Sequence, residues 1–228
     1  MSIIEIKDLH KTYNENTVPV HAVNGIDLQI EEGEFTAIVG PSGCGKTTFL
    51  NMVGGLDLST SGSVKIDGQD IAELSSRQLI DFRLNHIGFV FQAYNLIPVL
   101  TAMENVAFIM ELQGEKKTLR EGRAKDLLEQ VGIGDKINRR PKELSEGQQQ
   151  RVAVARALAS KPKFILADEP TANLDSQSTG DLLDMMAELN KKLNITFLFA
   201  THDQRVIDRA RRVITLTDGM ISSDERKI

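Results

Sequence analysis

GPSGCGKTT, residues 40–48, directly follows the apolar run FTAIV at residues 35–39. The reading is a buried strand entering a glycine-rich loop that opens a helix, which is the setting a phosphate-binding loop needs. Backbone N–H groups at a helix N-terminus point outward unpaired and carry roughly half a positive charge. Gly40, Gly43 and Gly45 let the chain curl around a polyphosphate without Cβ clashes. Lys46 can then reach the terminal phosphates, and the Thr47 hydroxyl can ligate Mg²⁺.

Working outward, the 228 residues are 41% hydrophobic and 26% charged, enough for a packed core in one domain carrying a lobe. A net charge of −5 gives no electrostatic footprint for nucleic acid. The single cysteine leaves no internal disulfide framework and fits a reducing cytosol. No stretch approaches the ~20 apolar residues of a membrane span. The start, MSIIEIKDLHKTY, has no apolar core with a cleavage site and does not read as a signal peptide.

Residues 3–9 alternate apolar and polar and predict a strand, as do residues 20–30. Asp67-Gly68 marks a tight turn between two short strands in residues 62–70. Ser75 or Ser76 can cap a helix running to about residue 84, and residues 87–91 predict a buried strand. Thr101 can cap residues 102–112, and Thr118 can cap a helix that ends near Val131 with Gly132 as its stop. A helix follows over residues 146–160. Residues 164–167 and 195–200 are short and fully apolar, the kind of strand that parallel sheets bury on both faces. A helix over residues 176–192 joins them, and Asp218-Gly219 predicts a closing hairpin. The fold class is α/β: a phosphate-loop sheet formed by residues 1–92 and 161–228, with an antiparallel β part, and a helical subdomain of residues 93–160 inserted into it.

The apolar strand FILA, residues 164–167, ends in Asp168 and Glu169, at the sheet edge where α/β folds bind ligands. Adjacent carboxylates can divide labour: Asp168 holds Mg²⁺, through water, while Glu169 orients or deprotonates an attacking water.

The stretch LSEGQQQR, residues 144–151, carries the most specific signal. In it, Ser145 before an apolar-periodic helix is a good N-cap, and Gln148 completes a capping box. The stretch also resembles the LSGGQ signature of the ATP-binding subunits of ABC transporters, and the resemblance extends in order over essentially the whole chain. It matches Gln92 to the Q-loop glutamine, Asn173-Leu174-Asp175 to the D-loop, His202 to the switch histidine and Tyr13 to the aromatic residue that stacks on adenine. The resemblance implies an ATPase whose catalytic residues are Glu169, His202, Gln92 and Lys46. Nucleotide contacts would come from Tyr13, Gly40, Pro41, Ser42, Gly43, Cys44, Gly45, Lys46, Thr47 and Thr48. Ser145, Gly147 and Gln148 would add contacts to the ATP held by a second copy, giving a head-to-tail dimer around two ATP molecules. Mg²⁺ would be held by Thr47, Gln92 and Asp168.

Two positions depart from the usual pattern. Glu146 stands where the signature has glycine; it suits the first turn of a helix and is expected to point away from the partner's ATP. Cys44 sits inside the loop, where a thiol beside a lysine can be activated, although a slot that merely takes a small residue explains it more simply.

Coupling to transport requires a separate integral membrane subunit, and residues 93–106 carry several large apolar side chains suited to a docking groove for one. The wording of residues 87–106, the stretch TANLDS and the short C-terminus are similar to the lipoprotein-releasing and macrolide-export ATPases. This implies a cytoplasmic location, peripheral on the inner face of the cell membrane. The cell-division ATPase that regulates wall hydrolases is a near relative in the same family and stands as an alternative. A soluble DNA-associated ABC ATPase would bring coiled-coil arms or zinc modules, and a GTPase would bring a guanine-reading N-K-x-D; neither is found in the sequence.

Overall fold

The computed structural model describes residues 2–14 and 18–227. In chain order the elements are β1 (Ser2–Tyr13), β2 (Val20–Glu31), β3 (Phe35–Val39), α1 (Lys46–Val53), β4 (Ser61–Ile66), β5 (Gln69–Asp70), α2 (Ser76–His86), β6 (Ile87–Phe91), α3 (Ala102–Leu112), α4 (Lys117–Gln130), α5 (Glu146–Ala159), β7 (Phe164–Asp168), α6 (Ser176–Leu193), β8 (Thr196–Ala200), α7 (Gln204–Arg209), β9 (Arg212–Thr217) and β10 (Met220–Arg226). They build a six-stranded sheet of order β10-β9-β3-β8-β7-β6 and a four-stranded sheet of order β2-β1-β4-β5. From β9 to β6 the larger sheet is parallel, and β10 closes it as an antiparallel hairpin. The smaller sheet is antiparallel throughout.

Strand periodicity fixes which face each side chain serves. In β7, Ile165 and Ala167 enter one buried cluster with residues of α3, α4, α5 and α6. The alternate residues Phe164 and Leu166 enter a second cluster with α1 and the antiparallel sheet. The parallel sheet is therefore covered on both sides, which is why β7 and β8 read as unbroken apolar runs. On the first face Phe35 packs its ring against Phe197 and Phe199, with centroids 5.6 and 4.7 Å apart. Truncating such a fully buried ring costs about 3–5 kcal/mol.

The helix starts follow local capping chemistry. Ser75, Thr101 and Ser145 each close a full capping box with Gln78, Glu104 and Gln148. Asp175 caps α6 by accepting from the Ser178 N–H. The expected cap by Thr118 is corrected: α4 begins at Lys117, and its N-cap Lys116 makes no side-chain cap. The chain leaves α3 through Gly114 in a left-handed turn and is already aimed into the helix at Lys116, whose carbonyl accepts from Leu119 and Arg120. Buried Ala124, Leu127 and Leu128 then hold the phase of α4. Among the described residues no helix is long and apolar enough to cross a membrane.

Candidate active site

Four strands end at matched rungs. Ile38 stands beside Ala200, Ala200 beside Asp168, and Asp168 beside Phe91. The next residues of each strand are therefore delivered to one edge: the loop of residues 40–45 after β3, Gln92 after β6, Glu169 after β7 and His202 after β8. These meet in one pocket that Tyr13, Gly40, Pro41, Ser42, Gly43, Gly45, Lys46, Thr47, Thr48, Gln92, Glu169 and His202 line.

At its floor the buried Lys46 ammonium donates to the carbonyls of Gly40 (2.8 Å) and Pro41 (3.0 Å). Thr47 donates its hydroxyl to Asp168 Oδ1 at 3.2 Å. Burial pushes the Asp168 carboxyl above its ordinary range and the neighbouring Glu169 charge adds to this, while the Thr47 bond and Lys46 work against it. Glu169 holds a left-handed backbone, φ 44°, uncommon for a residue with a Cβ and the kind of strain found at functional sites. Its N–H is fixed on the Ala200 carbonyl. One carboxylate oxygen accepts from Thr201 Oγ1 (3.1 Å) and the other pairs with His202 Nδ1 (2.7 Å). Behind them, Thr171 donates to Asp203 Oδ2 at 2.9 Å, tying the segment after Glu169 to the segment after His202.

The exposed Gln92 has its backbone carbonyl held by Asn173 Nδ2 at 3.0 Å. Downstream, Tyr94 and Asn95 are both left-handed, and the Arg156 guanidinium on α5 donates to the carbonyls of both. Cys44 does not line the pocket. Its thiol is buried beneath the loop, 3.9 Å from Lys46 Nζ.

The same pocket does not include Ser145, Gly147 and Gln148. They cap α5, where Ser145 Oγ accepts from the Gln148 N–H at 3.3 Å and the Ser145 N–H donates to Gln148 Oε1 at 3.0 Å. Glu146, in the first turn of that helix, is exposed and lies close enough to Tyr94 to push its phenol up, second to burial.

Sequence reasoning missed Val20, His21 and Ala22, which line the pocket beside Tyr13. The signal was available in the hairpin: β1 pairs with β2 so that Tyr13 faces Val20 and Thr12 faces His21. It also missed α7 and the Thr201 and Thr171–Asp203 contacts, which depend on residues far apart in sequence.

The donor set fits a magnesium-bound polyphosphate. It offers a loop of backbone amides, an ammonium, a hydroxyl and a carboxylate, and Mg²⁺ characteristically takes one or two carboxylates with phosphate and water. Among the described residues no group of three or more His, Cys, Asp or Glu could hold a metal by itself.

Comparison with known proteins agrees with this geometry. The family model described as ABC transporter matches residues 23–172. An uncharacterized ABC transporter ATP-binding protein of Thermotoga maritima is 44% identical over 99% of this chain and 96% of its own length. The lipoprotein-releasing system ATP-binding protein LolD of Anaeromyxobacter dehalogenans is 44% identical over 97% of this chain and 93% of that protein. The macrolide export ATP-binding/permease protein MacB of Aggregatibacter actinomycetemcomitans is 46% identical over 100% of this chain, which spans 35% of that longer protein. A dimeric structure of the ATP-binding cassette MJ0796, bound to ADP and Pi in a post-hydrolysis state, superposes with a TM-score of 0.89 at 40% identity, covering 98% of both chains. The chain thus belongs to the ABC transporter family and is one of its ATP-binding, ATP-hydrolysing cassettes.

Proposed function

We propose that two copies of this chain close around two ATP molecules and drive a separate membrane subunit, in a transporter of the lipoprotein-releasing or macrolide-export kind. The observation that carries this reading is a division within one chain. The pocket holds Lys46, Thr47, Gln92, Glu169 and His202, while Ser145, Gly147 and Gln148 stand on a capped helix end outside it. A helix N-terminus is an anion site, so a second copy would complete the pocket with its own Ser145, Gly147 and Gln148. The dimeric form of the similar cassette supports the pairing.

In the closed pair, Tyr13 stacks on adenine and the backbone N–H groups of Ser42, Gly43, Cys44, Gly45 and Thr48 cradle the phosphates, while Gly40 and Pro41, which has no N–H, line the loop against them. Lys46 exchanges its loop carbonyls for phosphate oxygens and neutralises their charge. Glu169 takes a proton from water as its oxygen attacks the γ-phosphorus, and the bond to the leaving ADP oxygen breaks. His202 orients Glu169 and contacts the γ-phosphate. Thr47, Gln92 and Asp168 would hold Mg²⁺, which when bound neutralises the charge that builds on the phosphates. Residues 93–160 act as the helical subdomain that Gln92 informs of nucleotide state.

The membrane subunit would dock beside residues 93–106. An apolar groove there is lined by Leu56, Ile80, Leu84, Phe89, Ile97 and Phe108. Val99, 71% exposed, adds an apolar side chain in the same segment. This reading puts the protein on the cytoplasmic face of the membrane.

The test is Glu169→Gln with Mg²⁺ and ATP. Losing a positioned base slows turnover ~10²–10⁴-fold, so the variant should bind ATP, hydrolyse it barely and run as a dimer by light scattering. A variant that stays monomeric with ATP, or turns over within about tenfold of the parent, refutes the mechanism.

A further inference from the structure

The Tyr13 ring is not a free aromatic at a strand end. Its hydroxyl donates to Asp57 Oδ2 at 2.6 Å. The other oxygen of that carboxylate accepts from Lys11 Nζ at 2.7 Å and from the Leu58 N–H at 2.8 Å. Lys11 Nζ also donates to the Leu58 carbonyl at 2.7 Å and sits 4.8 Å from the centroid of the Tyr13 ring. Residues 11 and 13 are two apart on β1, so both side chains stand on the same side of the strand. The Lys11 and Asp57 side chains are largely buried, 13% and 29% exposed.

Asp57 is placed by the helix that begins at the phosphate loop. α1 runs from Lys46 to Val53, and the turn after it is held by the N–H groups of Leu56 and Asp57 on the Asn51 carbonyl at 2.8 and 3.2 Å. One end of this helix thus presents amides to the phosphates, and the other end holds the hydroxyl of the ring that lines the same pocket. Partial burial pushes the Asp57 carboxyl up, but the bonds from Lys11 and Tyr13 outweigh it and leave the group below its ordinary range. It therefore stays an anion, the strong form of acceptor.

We infer that Asp57 and Lys11 are positioning residues for nucleotide binding: through the Tyr13 hydroxyl and over one face of its ring they fix the base platform at a set span from the phosphate loop. The ammonium against one face leaves the opposite face for the base, and a cation on an aromatic face is held by the ring quadrupole. This inference rests on the reading of Tyr13 as the stacking residue and adds to it how the ring is held. A ring ordered in advance does not have to be ordered on binding, and immobilising one such side chain is worth about two- to tenfold in affinity.

The experiment compares the full-length chain with Tyr13→Phe, Asp57→Asn, Lys11→Met, the double variant Tyr13→Phe/Asp57→Asn, and Tyr13→Ala. KM for ATP, kcat and melting temperature are measured for each. Tyr13→Phe and Asp57→Asn should each raise KM about two- to tenfold, with the effect on KM rather than kcat. The double variant should match the worse single one, because both break the same bond. Lys11→Met should raise KM in the same direction and supplies the result if Asp57→Asn fails to fold. If Tyr13→Phe keeps the parent KM while Tyr13→Ala raises it, the tether does nothing and the proposal falls, though stacking stands. If Asp57→Asn raises KM and Tyr13→Phe does not, or if the two effects multiply, Asp57 is structural only and the proposal falls. If Tyr13→Ala itself keeps the parent KM, the stacking reading fails and takes the proposal with it.

Discussion

Gly45 and Gly43 are alike in composition and in positive φ, yet the structure assigns them very different costs of substitution. A Cβ on Gly45, φ +103°, would stand 2.1 Å from the Ala22 carbonyl oxygen. That oxygen belongs to β2, which cannot swing aside. Ala22 is skipped at an irregularity in the pairing with β1, but the residues on either side of it are held, His21 opposite Thr12 and Val23 opposite Lys11. The Asn24 N–H is bonded to the Gly219 carbonyl at 2.8 Å while the Gly219 N–H returns to Cys44 at 3.1 Å. Relief requires a shift of ~1 Å between the start of α1 and β2 to restore ordinary contact distance. A positive φ with a side chain costs about 1–2 kcal/mol, and forcing backbone apart adds about 1–3 kcal/mol. Gly43, φ +81°, has nothing within 4 Å of the same added atom, so only the conformational cost applies. For a chain of this size each 1 kcal/mol moves the melting temperature by about 2–4 °C. Gly45→Ala should therefore melt about 4–20 °C below the parent and Gly43→Ala about 2–8 °C below it, as read by differential scanning fluorimetry. Because α1 starts at the displaced atom, Gly45→Ala should also lose ATP affinity, measured by titration. A Gly45→Ala protein that melts beside Gly43→Ala and binds ATP like the parent would show that the close approach to β2 does not exist, and with it the placing of the phosphate loop.

Three further outcomes follow from the same geometry. The Arg205 guanidinium, and further bonds from the Arg205 N–H and Thr171, hold the Asp203 carboxyl down at about 2 from an ordinary 3.8. Its native value is depressed, so its stabilisation is complete above pH ~4 and fades as the pH falls toward 2. Arg205 is 39% exposed, and screening limits the worth of the pair to about 1 kcal/mol. Asp203→Asn should accordingly melt below the parent at pH 7, and the gap should narrow as the pH falls toward 2. For Glu146→Gly, losing a first-turn acid costs about 0.3–1 kcal/mol of helix stability and should change ATPase rate little. A carboxylate ~6 Å from the partner's phosphate would instead oppose pairing by about 2–3 kcal/mol, so a rise in ATP-dependent dimerisation of more than about tenfold would show that Glu146 faces the nucleotide. Cys44, 5% exposed, should react slowly with iodoacetamide in the native protein and quickly in urea, followed by mass spectrometry; fast native labelling would contradict its burial.

Features governed by near neighbours in sequence were legible before any coordinates. FTAIV and FILA are buried strands, and the Ser75, Thr101 and Ser145 boxes cap α2, α3 and α5 because each cap and its partner are three residues apart. Thr118 misled because a good capping residue competes with the turn at Gly114, and the turn decides where the chain enters α4. α7 escaped notice because six residues offer too few turns for a helical period to show. In the candidate site, the loop residues, Asp168 and Glu169 could be picked out because residue type and spacing carry their chemistry. The Tyr13 bond to Asp57, the His202 pair with Glu169 and the hold of Arg156 on residues 94 and 95 join positions far apart in the chain. Local pattern contains no record of such contacts.

The core itself sets the site's geometry, through the register of the parallel strands. Phe164 and Leu166 serve one buried cluster, and Ile165 and Ala167 serve the other. Sliding β7 by one residue against β8 would exchange the faces, driving Phe164 and Leu166 toward α5 and leaving small Ala167 to fill the space beside α1. Overpacking one side while hollowing the other costs several kcal/mol, comparable with the whole stability of a domain. Side-chain volume two and four residues earlier thus pins Asp168 opposite Ala200 and Phe91. That pinning delivers Gln92, Glu169 and His202 to one edge, within reach of Thr47 and Lys46. A conservative core change such as Leu166→Ala, remote from any phosphate, therefore acts on the placement of the carboxylates as well as on stability, because the same packing determines both.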